Sequence, residues 1–179
     1  RFGTLRSPYL INNQKLSLER AFFKGFLVSA ELRTNQYDTI SNGYDLQSTF
    51  NASQVKLGVR YGKDEIIIID NNRRISFGPS KWPIVALTYA KGFHWALGDF
   101  RYDKLNFYLY QKINLSLLGV SRYELDAGKI FGAVPYALLK NHLGNEMIFY
   151  TSAAFNTMNF NEFTSNQYLS LRYRHFFEG

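Results

Sequence analysis

Residues 104–132 alternate. Leu105, Phe107, Leu109, Gln111, Ile113 and Leu115 fall on one side of an extended chain, and Asn106, Tyr108, Tyr110, Lys112, Asn114 and Ser116 on the other. A repeat of two belongs to a β-strand, whereas a helix repeats every 3.6 residues. Gln111 is the one polar residue on the apolar side. Past a turn around Leu118-Gly119, Tyr123, Leu125 and Ala127 face one way and Arg122, Glu124 and Asp126 the other. An apolar side held for about ten residues is long enough for a tilted strand to cross the hydrocarbon of a bilayer. The stretch predicts a hairpin of two membrane-crossing strands.

The same rhythm runs through the chain. Residues 1–13, with Pro8 and Asn12-Asn13, read as a loop or lead-in. Leu16 and Leu18 alternate with Ser17 and Glu19 in a strand that reaches Phe22, and Lys24-Gly25 reads as a turn. Phe26, Val28, Ala30 and Leu32 then alternate with Ser29, Glu31 and Arg33. Residues 34–53 are polar around Asn42-Gly43 and suit a longer loop containing some strand. Val55, Leu57, Val59 and Tyr61 oppose Gln54, Lys56, Gly58 and Arg60. Four consecutive isoleucines, residues 66–69, break the alternation. They suit a strand buried on both faces, a short edge segment, or a strand that pairs with a partner. Residues 71–81 read as loop. Val85, Leu87 and Tyr89 mark a further strand, closed by Lys91-Gly92. Residues 147–150 suit a short strand, 151–166 an irregular stretch, and Leu169, Leu171 and Tyr173 a last strand against Tyr168, Ser170, Arg172 and Arg174. The expected fold is all-β: one domain over residues 1–179, an antiparallel transmembrane β-barrel contributing about eight strands of a larger one.

The formal charge is +7 and the pI about 9.5, but lysines and arginines are spread over alternate positions and loops. A nucleic-acid reader would concentrate them on one element, so no nucleic-acid partner is expected. Aromatic residues make up 17% of the chain, with 13 Tyr and 16 Phe, the types that gather where strands meet lipid headgroups. Cysteine is absent, which excludes disulfides and thiolate metal sites. No apolar run is long enough for a transmembrane helix, a test that does not detect barrels. The chain opens on Arg1 rather than Met and stops in mid-pattern, so it is expected to be an internal piece of a longer protein.

Alternation also fits a soluble barrel with an apolar inside. Two features favour the membrane form. Tyr61, Tyr89, Tyr123, Tyr173 and Phe176 lie near strand ends, as interfacial girdles require, with Trp82 and Trp95 as further anchors. The polar side carries Lys56, Arg60, Arg122, Glu124, Asp126, Arg172 and Arg174, which are expected to face a lumen. A lipid face would exclude midplane lysine or arginine at about 2–4 kcal/mol each. These charges suit a ladder that neutralises itself between strands, or a site receiving an acidic strand or loop from a partner.

No chemical motif stands out. His94, His142 and His175 lack metal-ligand spacing, and neither a nucleophile elbow nor a phosphate-cradling loop is present. No cofactor is expected. His142, Asn145 and Glu146 are expected to hold a loop by hydrogen bonds; the alternative is half of a hydrolytic site lacking its nucleophile. Gly128 and Gly132 suit strand curvature or a closely packed loop.

Several motifs follow in order: residues 83–92 (Pro-Ile-Val-Ala-Leu-Thr-Tyr-Ala-Lys-Gly), 103–105, 127–132 (Ala-Gly-Lys-Ile-Phe-Gly), 134–136, 142–146 (His-Leu-Gly-Asn-Glu), 154–156, 158–159 and 161–165. Together they resemble the C-terminal barrel of a Bacteroidota outer-membrane family of unknown function, whose members usually carry an N-terminal carboxypeptidase-regulatory-like sandwich. The barrel is also distantly similar to the outer-membrane assembly-factor superfamily, in which a long inward loop precedes a late strand. Residues 134–166 stand where that loop would be, but the superfamily's Arg-Gly-aromatic motif is missing. The resemblance implies a non-enzymatic barrel of the bacterial outer membrane, an accessory in outer-membrane protein assembly or envelope biogenesis. Its implied partners are outer-membrane lipid, lipopolysaccharide and other outer-membrane proteins. A passive pore or structural barrel is the next expectation, an outer-membrane hydrolase the third, and a soluble ligand-binding barrel the fourth.

Overall fold

An alternating stretch pairs readily with the next alternating stretch along the chain, and the main sheet here is built in that way. A computed structural model describes residues 9–39, 50–65, 67–70, 73–76, 78, 81–94, 98–142, 144, 154–158 and 163–177. The strands are β1 (Tyr9–Phe23), β2 (Phe26–Thr39), β3 (Phe50–Gly62), β4 (Ile67–Asp70), β5 (Arg73–Ser76), β6 (Ile84–Phe93), β7 (Tyr102–Asn114), β8 (Val120–Phe131), β9 (Lys140–Asn141), β10 (Thr164–Ser165) and β11 (Gln167–Phe176). Seven form one antiparallel sheet in the order β1-β2-β3-β6-β7-β8-β11. β4–β5 and β9–β10 are separate two-stranded ribbons. Among the described residues there is no α-helix, only two single 3-10 turns.

The turns follow from local chemistry. Gly25 closes the β1–β2 hairpin at φ 82°, a left-handed conformation that costs glycine little. Its carbonyl also accepts the Gly62 N–H at 2.8 Å, so the β3 end docks on this turn. Between β7 and β8, the Leu115 N–H reaches the Gly119 carbonyl at 2.8 Å around a 3-10 turn at Ser116–Leu118.

Register fixes which side chains share a face. One row crosses the sheet as Leu18, Ala30, Leu57, Tyr89 and Leu105. The next is Val28, Val59, Leu87, Phe107, Ala127 and Leu169, and the one after it Phe26, Tyr61, Val85, Leu109, Leu125 and Leu171. The charged strand residues on this face are Arg20, Asp38, Lys91, Asp103 and Lys129, and all but Arg20 sit toward one margin. The lower edge of the apolar band moves from Leu16, Leu32 and Val55 in β1–β3 to Leu169 in β11, one to two rows along the strands. A level band drawn across strands tilted to its normal shifts in this way.

Burial is inverted relative to a water-soluble sheet. Leu18 is 72% exposed, Leu169 75% and Leu171 64%, all on the apolar face. The buried residues Leu27, Glu31, Ala90, Tyr102, Val120 and Ile130 project from the opposite, polar face. Packing on that face is close. Tyr102 lies over Gly92 and Tyr168 over Gly128, each directly across a strand pair, where an added Cβ would enter the phenol ring. Cross-strand aromatic cover of this kind restores contact area that glycine lacks.

Several expectations are corrected. Residues 9–13 are strand, not lead-in; the 34–53 stretch contains strand as expected, up to Thr39 and again from Phe50. Backbone pairing continues there although the apolar pattern has ended, because a ladder needs only a partner backbone. Within the expected 71–81 loop, Arg73–Ser76 pairs with Ile67–Asp70. The isoleucine run is not buried on both faces, since Ile68 is 51% exposed beside Ile75 in a two-stranded ribbon. Ile66 lies outside the described residues, as do 147–150. The expected irregular stretch 151–166 contains β10. The described residues hold eleven strands rather than about eight, seven of them in the main sheet, where β1 and β11 each have one neighbour among the described residues. Phe176 is not on the aromatic girdle. It pairs with Val120 on the polar face, whereas Tyr61, Tyr89, Tyr123 and Tyr173 are on the apolar one.

Candidate functional site

Antiparallel register sets like-facing side chains about 5 Å apart, so charges placed on alternate residues of neighbouring strands meet. All seven charged residues expected to share a face do so: Lys56, Arg60, Arg122, Glu124, Asp126, Arg172 and Arg174. Five of them fall into three acid-centred groups, Arg60 pairs with Glu65 in a fourth, and Arg122 makes no ion pair among the described residues.

The first group surrounds Glu31, whose side chain is 8% exposed. Lys15 lies at 3.1 Å, Arg33 at 2.7 Å and Lys56 at 3.7 Å from its carboxylate. The second is centred on Glu124, which accepts Arg172 and Arg174 on separate oxygens, both at 2.7 Å. The third is Asp126, with the Lys140 ammonium at 3.0 Å on one oxygen and the Asn106 amide at 2.6 Å on the other. Asn106 also donates to the Tyr168 hydroxyl at 2.7 Å. Acids in such positions cost several kcal/mol to desolvate and persist because cations and amides surround them.

Two connections fold onto this face. From the β3–β6 connection, Glu65 receives both guanidinium nitrogens of Arg60, at 2.6 and 2.5 Å, and the Ser76 hydroxyl. Gly78 of the same connection lies against Tyr110. Between this connection and the sheet lies a cavity of about 370 Å³ lined by Arg60, Ser76, Ile84, Tyr108 and Tyr110. From the β8–β11 connection, Lys140 reaches Asp126 and stacks its ammonium 4.9 Å from the Tyr168 ring. Asp126, Lys140, His142, Phe155 and Arg172 line a smaller open recess of about 120 Å³ there.

His142 holds this second connection. Its backbone N–H donates to the Phe163 carbonyl at 3.1 Å, its Nε2 shares a hydrogen bond with Ser165 Oγ at 3.1 Å, and its ring meets Tyr168 edge-on. Asn145 and Glu146, expected to act with it, lie outside the described residues, as does Trp95. His175 is tied to the β7–β8 turn: Nε2 donates to the Leu118 carbonyl at 2.7 Å, and Nδ1 lies 2.8 Å from Ser121 Oγ. Trp82 is exposed, with the Lys63 ammonium 4.6 Å from its ring.

Sequence reasoning missed Glu65 and Lys140 as members of the site. Neither lies on an alternating stretch, so no periodic signal reports them. Glu31 and Arg33 were legible as charged-side residues, but only the register puts Glu31 between Lys15 and Lys56.

The C-terminal domain of a family of unknown function (DUF5686) matches residues 28–179. No curated protein and no solved structure matches the chain.

Proposed function

This chain belongs to the family of unknown function DUF5686, by way of that family's C-terminal domain, and from that premise we propose that it is a segment of a bacterial outer-membrane β-barrel. In this reading it is a non-enzymatic accessory to outer-membrane protein assembly or envelope biogenesis. The observation that carries the membrane part is the inversion of burial. A sheet that exposes Leu18, Leu57, Leu169 and Leu171 and encloses Glu31, Glu65 and Glu124 is arranged for oil outside and water or ions inside. In water, each large apolar side chain left half exposed forgoes roughly 1 kcal/mol. Against hydrocarbon that loss disappears.

Tyr61, Tyr123 and Tyr173 bound the apolar band at one end of the strands, with Tyr89 and Phe131 toward the other, as two interfacial girdles would. The connections at 24–25 and 115–119 are short, and 40–49, 94–101 and 132–166, at the opposite end, are longer. By the usual asymmetry of such barrels the longer ones face outward; the 63–83 connection is the exception.

An accessory role is favoured over a passive pore because two connections lie on the charged face, held by Arg60–Glu65 and Lys140–Asp126. A conducting lumen would leave that face to water. The full-length protein, extracted in mild detergent, is expected to co-purify with other outer-membrane proteins and to show no steady conductance in planar bilayers. Partition into the aqueous phase without detergent would refute every membrane reading. A stable open channel would replace the accessory role with a pore.

One contact favours a second reading, that of an outer-membrane hydrolase: the Ser165–His142 hydrogen bond has the form of a nucleophile–base pair. Ester hydrolysis by the purified protein, lost in both Ser165→Ala and His142→Ala, is the result that reading requires.

A further inference from the structure

At the turn-proximal end of the charged face three cations stand side by side across three strands. Lys112 stands directly across from Arg122, and Arg122 directly across from Arg174, on β7, β8 and β11. The adjacent row is Tyr110, Glu124 and Arg172. Glu124 is the single carboxylate in these two rows, and it binds Arg172 and Arg174. Lys112 and Arg122 make no ion pair among the described residues. The Arg122 guanidinium lies 4.7 Å from the centre of the Phe176 ring, and its buried Nε has no hydrogen-bond partner. Like charges directly opposite on neighbouring strands destabilise a sheet, and a buried donor without an acceptor adds to the cost. At the other end of the face Lys15 and Arg33 also stand opposite each other, but both reach Glu31 in the adjacent row. Here Glu124 takes up Arg174 and leaves Lys112 and Arg122 without an ion pair among the described residues.

We propose that Lys112, Arg122 and Arg174 form a binding site for an oxyanion of the phosphate class, on the charged face beside the Ser116–Leu118 turn. Neighbouring strands lie about 4.8 Å apart, so three long side chains from one row can converge on a single tetrahedral anion. An extended acidic peptide offers carboxylates about 7 Å apart along one side, a poorer match to this row. Guanidinium groups suit the anion further, because their planar forks donate two parallel hydrogen bonds to phosphate oxygens. Lipid is a poor source. A lipid seated on the apolar face has the sheet between its headgroup and these side chains. The site depends on the charged face alone and stands whether or not the apolar face meets lipid.

The test is calorimetric titration of the full-length protein in maltoside micelles, which contain no phosphate, with inorganic phosphate and with diphosphate. Saturable binding is expected for wild type, weakening several-fold between about 50 and 300 mM NaCl as screening shortens the reach of the charges. Arg122→Gln and Lys112→Gln should each weaken binding about 10- to 100-fold, the effect of losing a charge-assisted contact. Lys15→Gln, in the Glu31 group at the other end of the face, should leave it unchanged. Far-UV circular dichroism reports that each variant is folded; a variant that fails this is replaced by Arg122→Lys, which keeps the charge, loses the fork and should bind several-fold more weakly. No saturable heat up to about 10 mM of either anion would overturn the proposal, as would binding unaltered by the variants. Binding of an oligoglutamate peptide but of neither phosphate would overturn it too, and would reassign the site to a protein partner.

Discussion

Leu171→Arg separates a lipid-facing sheet from a water-facing one. Leu171 is 64% exposed and lies on the apolar face in the row of Leu109 and Leu125, one row short of Tyr123 and Tyr173. If this face met water, adding a charge at so open a position would change stability by no more than about 0.5 kcal/mol, and solubility would improve. If it meets hydrocarbon, the arginine is placed inside the band, one row from its tyrosines, and costs about 1–3 kcal/mol, roughly 5- to 160-fold in the folding equilibrium. Tyr173→Arg, at the girdle two residues along, should cost about 0–1 kcal/mol, because the charge reaches the headgroups there. The measurement is urea unfolding of the full-length protein refolded into phospholipid vesicles, followed by tryptophan fluorescence. Equal and small costs at the two positions, or folding of Leu171→Arg in buffer without lipid, would falsify the membrane reading.

Glu124→Gln leaves Lys112, Arg122, Arg172 and Arg174 with no acid in their two rows. The side chain is 14% exposed and binds two guanidiniums, so the loss should be about 2–3 kcal/mol, between exposed and buried pairs, and adding Arg122→Gln should restore part of it in urea unfolding. Gly92→Ala places a methyl inside the Tyr102 ring and should cost about 1–3 kcal/mol; the cost should fall in a Tyr102→Ala background, and an equal cost in both would disprove the contact. Glu65→Gln removes the charge that binds Arg60. Trypsin should then cut within 63–83 several-fold faster than in wild type; an unchanged rate would mean that the pair does not hold the connection.

The strands of the main sheet were legible because alternation is a property of single segments. Val55, Leu57, Val59 and Tyr61 announce β3 by themselves, with no partner strand needed to recognise them. The ends were less legible. Thr34, Gln36 and Asn51 carry no apolar pattern, yet they are strand, since backbone hydrogen bonds extend as far as a neighbouring backbone does. β5 was read as loop for the opposite reason: in a ribbon outside the sheet, its pattern is too short to register. At the charged face, residue types and sidedness were readable, but the acid-centred groups were not. Glu65 and Lys140 arrive from connections whose paths no local pattern encodes.

By itself, then, the sequence determined which residues are extended and which sides of them are greasy or charged, because a two-residue period is written into the order of side chains. The tertiary structure decided what those sides meet. Register placed Glu124 between two arginines and left Lys112 and Arg122 facing each other, and the course of two connections covered part of the charged side while the apolar side stayed exposed. That decision belongs to long-range pairing: a shift of one residue between strands would have sent every side chain to the other face with the local pattern unchanged.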